Sequence, residues 1–304
     1  MTNRRMTTQT EIWTIMAILG PVLFYSKGCW LEALVATAVV SVVVFFLHRF
    51  GQHWCGPIYS AVQALWLSIY LSQMLSYSAM CWPTGERSFP VVPLVLLILA
   101  AVSVTKGEKE TGNGICVLFW VAVSLLGFVV ISGFSNIDLP EPSTDCQFNN
   151  IRILPILLLP ATVMFDREKG RITLILFSFV LVVTSVAFWI DGTLTYQLAM
   201  KTVWPFYESA KSVQFLETAK RFESLVSVGI TICNYALYSF LLKSIACIGE
   251  KFNRRNFSIT AGTVVSGGLT LIGVVIPPVY LIIFSLILWV ILPLFGAVNI
   301  KKNE

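Results

Sequence analysis

Charge is what this sequence has least of. Asp, Glu, Lys and Arg make up 12% of the residues, hydrophobic residues 56%, and the mean hydropathy is +0.79. A soluble domain of 304 residues cannot bury that much apolar surface. This excludes a water-soluble globular fold and makes lipid the solvent. The chain has only two histidines. His48 and His53 cluster with Cys55 near the ends of two apolar runs, but no fourth ligand stands at a recognisable spacing, so no metal is expected. The seven cysteines form no C-x-x-C pair, which leaves out ribbon-type zinc sites and dithiol redox motifs. Phosphate loop, nucleophile elbow and catalytic constellation are all missing, so the reading is of a protein that is no enzyme, holds no cofactor and binds no nucleic acid.

What is there is a series of apolar runs. Charges and turn signals divide them into ten candidate spans, at 11–26, 30–47, 57–80, 89–105, 115–135, 151–165, 172–190, 222–248, 258–277 and 279–298. A helix needs about 20 residues to cross the hydrocarbon core, and the first and sixth runs fall short of that. The first follows "MTNRR" as a signal peptide's core would, but no A-x-A-like site comes after it, so it reads as a retained helix. With the N-terminus inside, thirteen Lys and Arg collect on one side and seven on the other. The positive-inside rule then puts both termini in the cytoplasm. Cys29, Cys81 and Cys146 would face outward, which allows one disulfide and leaves its pairing open.

The two short spans are also the interrupted ones. Gly20-Pro21 lies inside the first, and Pro155 and Pro160 lie inside the sixth. Proline gives up a helix hydrogen bond, and in lipid the freed carbonyls need protein, water or ligand. Interrupted spans at matching positions of two halves point to a transporter-like inverted repeat with its site between them. The halves would be about 11–135 and 151–298 within one transmembrane domain, 1–304.

Polar residues follow the same spacing. Tyr59, Gln63, Tyr70, Gln73 and Tyr77 form one stripe on the third span. Ser224, Ser227, Thr231, Asn234 and Tyr238 form another on the eighth, again five spans later. Such stripes turn away from lipid, either to glue helices together or to line a cavity. Lys243, near the inner end of the eighth span, can snorkel to the interface.

Between the seventh and eighth spans, residues 201–224 carry seven charges. Pro205, Phe206 and Glu208 open an amphipathic stretch, and Arg221-Phe222-Glu223 leads into the eighth span. Over residues 203–250 the chain resembles the B subunit of spore germinant receptors, the endospore germination permease family of the amino acid–polyamine–organocation superfamily. Residues 279–295, with the late Pro293, look like that family's last helix.

The resemblance implies an all-α, ten-helix fold similar to the leucine transporter's, in which the segment 197–221 caps the outer vestibule. It implies a small nutrient ligand, an amino acid in the first instance, at mid-membrane. Gly20, Pro21, Tyr70, Gln73, Tyr77, Pro155, Pro160, Thr231, Asn234 and Tyr238 are the expected ligand-binding set. Pro205, Phe206, Glu208, Arg221 and Glu223 are the expected lid or partner segment. Expected partners are a larger membrane subunit with soluble domains, a lipoprotein subunit and the bilayer, in a spore inner membrane or bacterial cell membrane. The expected site has no intramembrane carboxylate, the acids of the spans standing at their ends as Glu32 does, so a coupling ion lacks an evident ligand and sensing is favoured over transport. The alternatives are an ion-coupled amino acid transporter of the plasma membrane and a structural membrane subunit that binds nothing.

Overall fold

The computed structural model describes residues 2–26, 29–50, 57–79, 90–133, 172–194, 196–202, 204–212 and 222–293, and among them there is helix and no strand. The helices are α1 (Thr2–Tyr25), α2 (Trp30–Phe50), α3 (Pro57–Ala79), α4 (Val91–Lys106), α5 (Glu108–Gly133) and α6 (Ile172–Thr193). There follow two short ones, α7 (Tyr196–Lys201) and α8 (Pro205–Ser212), then α9 (Phe222–Glu250), α10 (Arg255–Ile272) and α11 (Pro278–Leu286). A π-helical turn, Ile287–Ile291, continues α11. Nine of the ten apolar runs read from the sequence overlap these helices, with different ends at several; the sixth run, with Pro155 and Pro160, lies outside the described residues.

Among the described residues, three helical segments are long and apolar enough to cross a membrane: Glu108–Gly133, Leu176–Thr193 and Leu225–Glu250. Trp30–Phe46, Val91–Lys106 and Pro278–Ile291 are shorter apolar helices. Large apolar side chains stand exposed along α2 (Val35, Val39, Val42, Phe46) and α5 (Val117, Trp120, Phe128, Ile131). Patches of this extent need an apolar medium around them, and the protein is a helical membrane protein in character.

The turns follow from local chemistry. Gly107, at φ +138°, separates α4 from α5, and Glu108 and Glu110 then occupy the positive end of α5's dipole. Gly273 ends α10 in the left-handed conformation, with Val274 N–H donating to Leu269 O and Gly273 N–H to Thr270 O. Pro278 then starts α11 at its first turn. At the other junction, the Asp191 carboxylate near the end of α6 accepts the backbone N–H groups of Cys29 and Trp30 and so caps α2. Cys29 is disulfide-bonded, and Cys116, Cys233 and Cys247 form no disulfide, so its partner lies outside the described residues.

α9 is the hub. Its apolar window is 67% buried against 22% for α5, because α1, α3, α4, α5, α8 and α10 all pack on it. α2 runs along α6, α3 lies on both α9 and α10, and α4 lies on the same two. α1 packs on α9 and α5.

One expectation is corrected here. α1 is helical from Thr2 to Tyr25 with Pro21 inside it, so the interruption expected at Gly20-Pro21 is absent. Proline removes a single donor, and the first candidate for the lost bond is only the Ala17 carbonyl. Met16, Ala17 and Val22 are fully buried around it, and that packing keeps the helix whole.

Candidate functional site

The two polar stripes have different fates. On α3, Tyr59 donates its hydroxyl to Leu288 O at 2.8 Å. Trp66, two turns further, donates Nε1 to Ser285 Oγ at 3.2 Å and stacks at a tilt on Phe284. Gln73 is fully buried; its Nε2 donates to Val274 O at 2.9 Å, and its Oε1 accepts the Ile276 N–H at 2.9 Å. That pair of bonds clamps the non-helical link between α10 and α11 to α3. Gln73, expected to meet ligand, is therefore a structural clasp. The backbone groups it satisfies have left the α10 ladder and have not yet joined α11's.

Tyr70 breaks the pattern. It is 1% exposed, its ring meets Trp289 edge to face at 5.9 Å between centroids, and its hydroxyl has no hydrogen-bond partner among the described residues. Tyr77 lies two turns on, half-buried, on the same face of α3.

On α9, Thr231 returns its hydroxyl to Ser227 O at 2.7 Å, a bond within its own helix. Tyr238 is buried and shares a hydrogen bond with the Ser78 hydroxyl, tying α9 to α3. Asn234 is 7% exposed and makes no hydrogen bond among the described residues. It sits against Gly20: a Cβ built there would lie 3.1 Å from Asn234 Oδ1 and 3.1 Å from Cys233 Cβ. The missing side chain of Gly20 is what lets α1 approach α9 and leaves room for the amide. Gly20 and Asn234 thus lie against each other, and Pro21 is a buried helix residue next to Gly20.

The expected lid segment folds inward. α8 packs against α6 and α9, with lesser contact to α1 and α5. Pro205, Phe206 and Ala210 are buried, Phe206 lies 4.9 Å between ring centroids from Trp189 of α6, and Glu208 is half-buried. Glu223 belongs to the first turn of α9, and Arg221 lies outside the described residues. His53 and Cys55 also lie outside them.

Two features escaped the sequence reading. Lys243 does not snorkel: its side chain is 7% exposed, its ammonium pairs with Glu108 at the start of α5, and it stands 4.6 Å from the ring centroid of Trp13 on α1. Trp13 in turn donates Nε1 to Ala236 O at 3.1 Å and to Ser239 Oγ at 3.2 Å, so α1, α5 and α9 are knotted at one point. The signal was in the sequence as Lys243 within an apolar run, but its partner is far away along the chain. The second is Trp289, whose buried indole N–H is unpartnered. Nothing in an apolar run marks one tryptophan as lacking a partner.

The polar groups gathered here are a phenol, an amide and an indole N–H. Among the described residues there is no group of His, Cys, Asp and Glu that could hold a metal ion. No protein-family model matches the chain, and no curated protein matches it.

Proposed function

We propose that this chain is a permease-like nutrient-sensing subunit of the spore germinant receptor type, binding a small amino acid at mid-membrane between α1, α3 and α9. The observation that carries the reading is the Tyr70 hydroxyl of α3, buried and without a hydrogen-bond partner among the described residues; on α9, the largely buried Asn234 is the polar residue left beside Gly20. An unmade hydrogen bond of this kind costs about 1–3 kcal/mol. A buried ionisable group in a membrane helix is a candidate for function where the protein does not pair it.

The packing pattern supports a five-plus-five inverted repeat. In span order α2 and α6, α3 and α9, and α4 and α10 are five apart, and each of these pairs is in contact. Exchanging the halves turns the α3–α10 contact into the α4–α9 contact, and both are present. The disulfide at Cys29 supports an outward α1–α2 connection, since disulfides persist on the oxidising side of a membrane. Sensing is favoured over ion-coupled transport because the carboxylates nearest the bundle are engaged: Glu108 with Lys243, Asp191 with the α2 N-terminus.

The test is thermal stabilisation of the purified protein in detergent by a panel of amino acids, with Asn234→Ala beside wild type. Stabilisation of wild type that Asn234→Ala loses is the expected result. No stabilisation by any amino acid would turn the reading to a structural subunit. Ion-gradient-driven uptake into liposomes would turn it to a transporter.

A further inference from the structure

Trp289 stands in the π-helical turn Ile287–Ile291, where one extra residue per turn breaks the α-helical ladder and re-aims side chains. α3 satisfies the polar groups around this turn. Tyr59 takes up the Leu288 carbonyl, and Trp66 pairs with Ser285. In the middle of this well-served contact, the Tyr70 hydroxyl and the Trp289 indole N–H are both buried and both unpartnered, on rings that touch. Each residue is 1% exposed. A phenylalanine at either position would fill the space without a stranded donor, so packing alone does not account for the pair.

The chemistry of the two groups is one-sided. An indole N–H only donates, and a phenol donates as well as accepts. Their common complement is an acceptor, and an ammonium group has none to offer Trp289. Asn234, by contrast, carries both a donor and an acceptor. We infer that Tyr70 and Trp289 together form the subsite for the carboxylate of the bound amino acid. This rests on the mid-membrane binding reading above, and it adds a residue from α11's continuation to a site otherwise drawn from α1, α3 and α9.

The experiment compares each amino acid that stabilises the full-length protein with its primary amide and with the amine lacking the carboxyl group. Wild type, Tyr70→Phe, Trp289→Phe and Asn234→Ala are measured by thermal shift and calorimetry. The acid binds wild type, the amide more weakly, and the amine not at all. Tyr70→Phe and Trp289→Phe each weaken the acid roughly tenfold or more, as loss of one hydrogen bond to a charged group would. Tyr70→Phe keeps or raises the melting temperature without ligand, so its loss of binding is not a loss of fold. Should Trp289→Phe not fold, Tyr70→Phe and the amine comparison decide. Unchanged affinity in Tyr70→Phe while Asn234→Ala loses binding would overturn the carboxylate subsite and leave the mid-membrane site standing. Equal binding of acid and amine would do the same. Absence of binding by every probe would remove both.

Discussion

The third and ninth helices carry the same kind of polar stripe and use it differently. α3 commits two of its stripe residues to structure: Tyr59 and Gln73, with Trp66 beside them, bind the link after α10, α11 and its π turn. α9 satisfies Thr231 within itself and Tyr238 against Ser78, and leaves Asn234 beside Gly20 with nothing to bond. Lys243, outside the stripe, adds a long-range ion pair to Glu108. The comparison teaches that a polar stripe in a membrane helix is not one signal. Residue by residue it separates into glue and opening, and only the partners tell which is which.

The largest effect is expected where α9 holds a charge. Glu108→Gln leaves the Lys243 ammonium buried and unpaired, at a cost of about 3–5 kcal/mol. Lys243→Met removes the buried charge itself and leaves Glu108, about a third exposed, to water. Denaturation in mixed detergent should therefore rank Glu108→Gln as clearly less stable than Lys243→Met; the reverse order would show that the pair is not what holds α5 to α9.

Next comes the α3 clasp. Gln73→Ala strands Val274 O and the Ile276 N–H, so a loss of about 2–3 kcal/mol is expected, with ligand-induced stabilisation retained. If the melting temperature holds and the ligand response vanishes, Gln73 belongs to the site after all and the contrast between the stripes fails.

Gly20→Ala is smaller. Its Cβ meets Asn234 Oδ1 and Cys233 at 3.1 Å, which forces α1 and α9 apart by a few tenths of an ångström at about 1 kcal/mol. A thermal shift measurement should show this modest loss together with weakened ligand binding. Asn234→Ala closes the series: ligand-free stability within about 0.5 kcal/mol of wild type, because no protein hydrogen bond is lost. A large fall in stability without ligand would mean that the amide is glue.

Much of the helix layout was legible in the sequence. The described helices follow the apolar runs because the requirement for an apolar span is local, and each residue contributes to it independently. The positions of both stripes could be read from helical period alone. The interruption of α1 could not: Gly20-Pro21 signals a lost hydrogen bond, but the burial of Met16, Ala17 and Val22 that offsets it belongs to the neighbouring helices. Lys243 looked like a snorkelling residue because Glu108 and Trp13, its partners, come from α5 and α1. Trp289 looked like one more apolar residue, since an indole N–H reveals its need only when the surroundings are known.

By itself, then, the sequence determined the solvent of this protein, the extent of its helices and the faces on which polarity lies, since hydropathy and period are properties of a segment. The tertiary structure alone decided which of those polar groups are satisfied. A hydrogen bond or ion pair needs two groups, and here the pairs that matter, Gln73 with the 274–276 link and Lys243 with Glu108, come from distant parts of the chain.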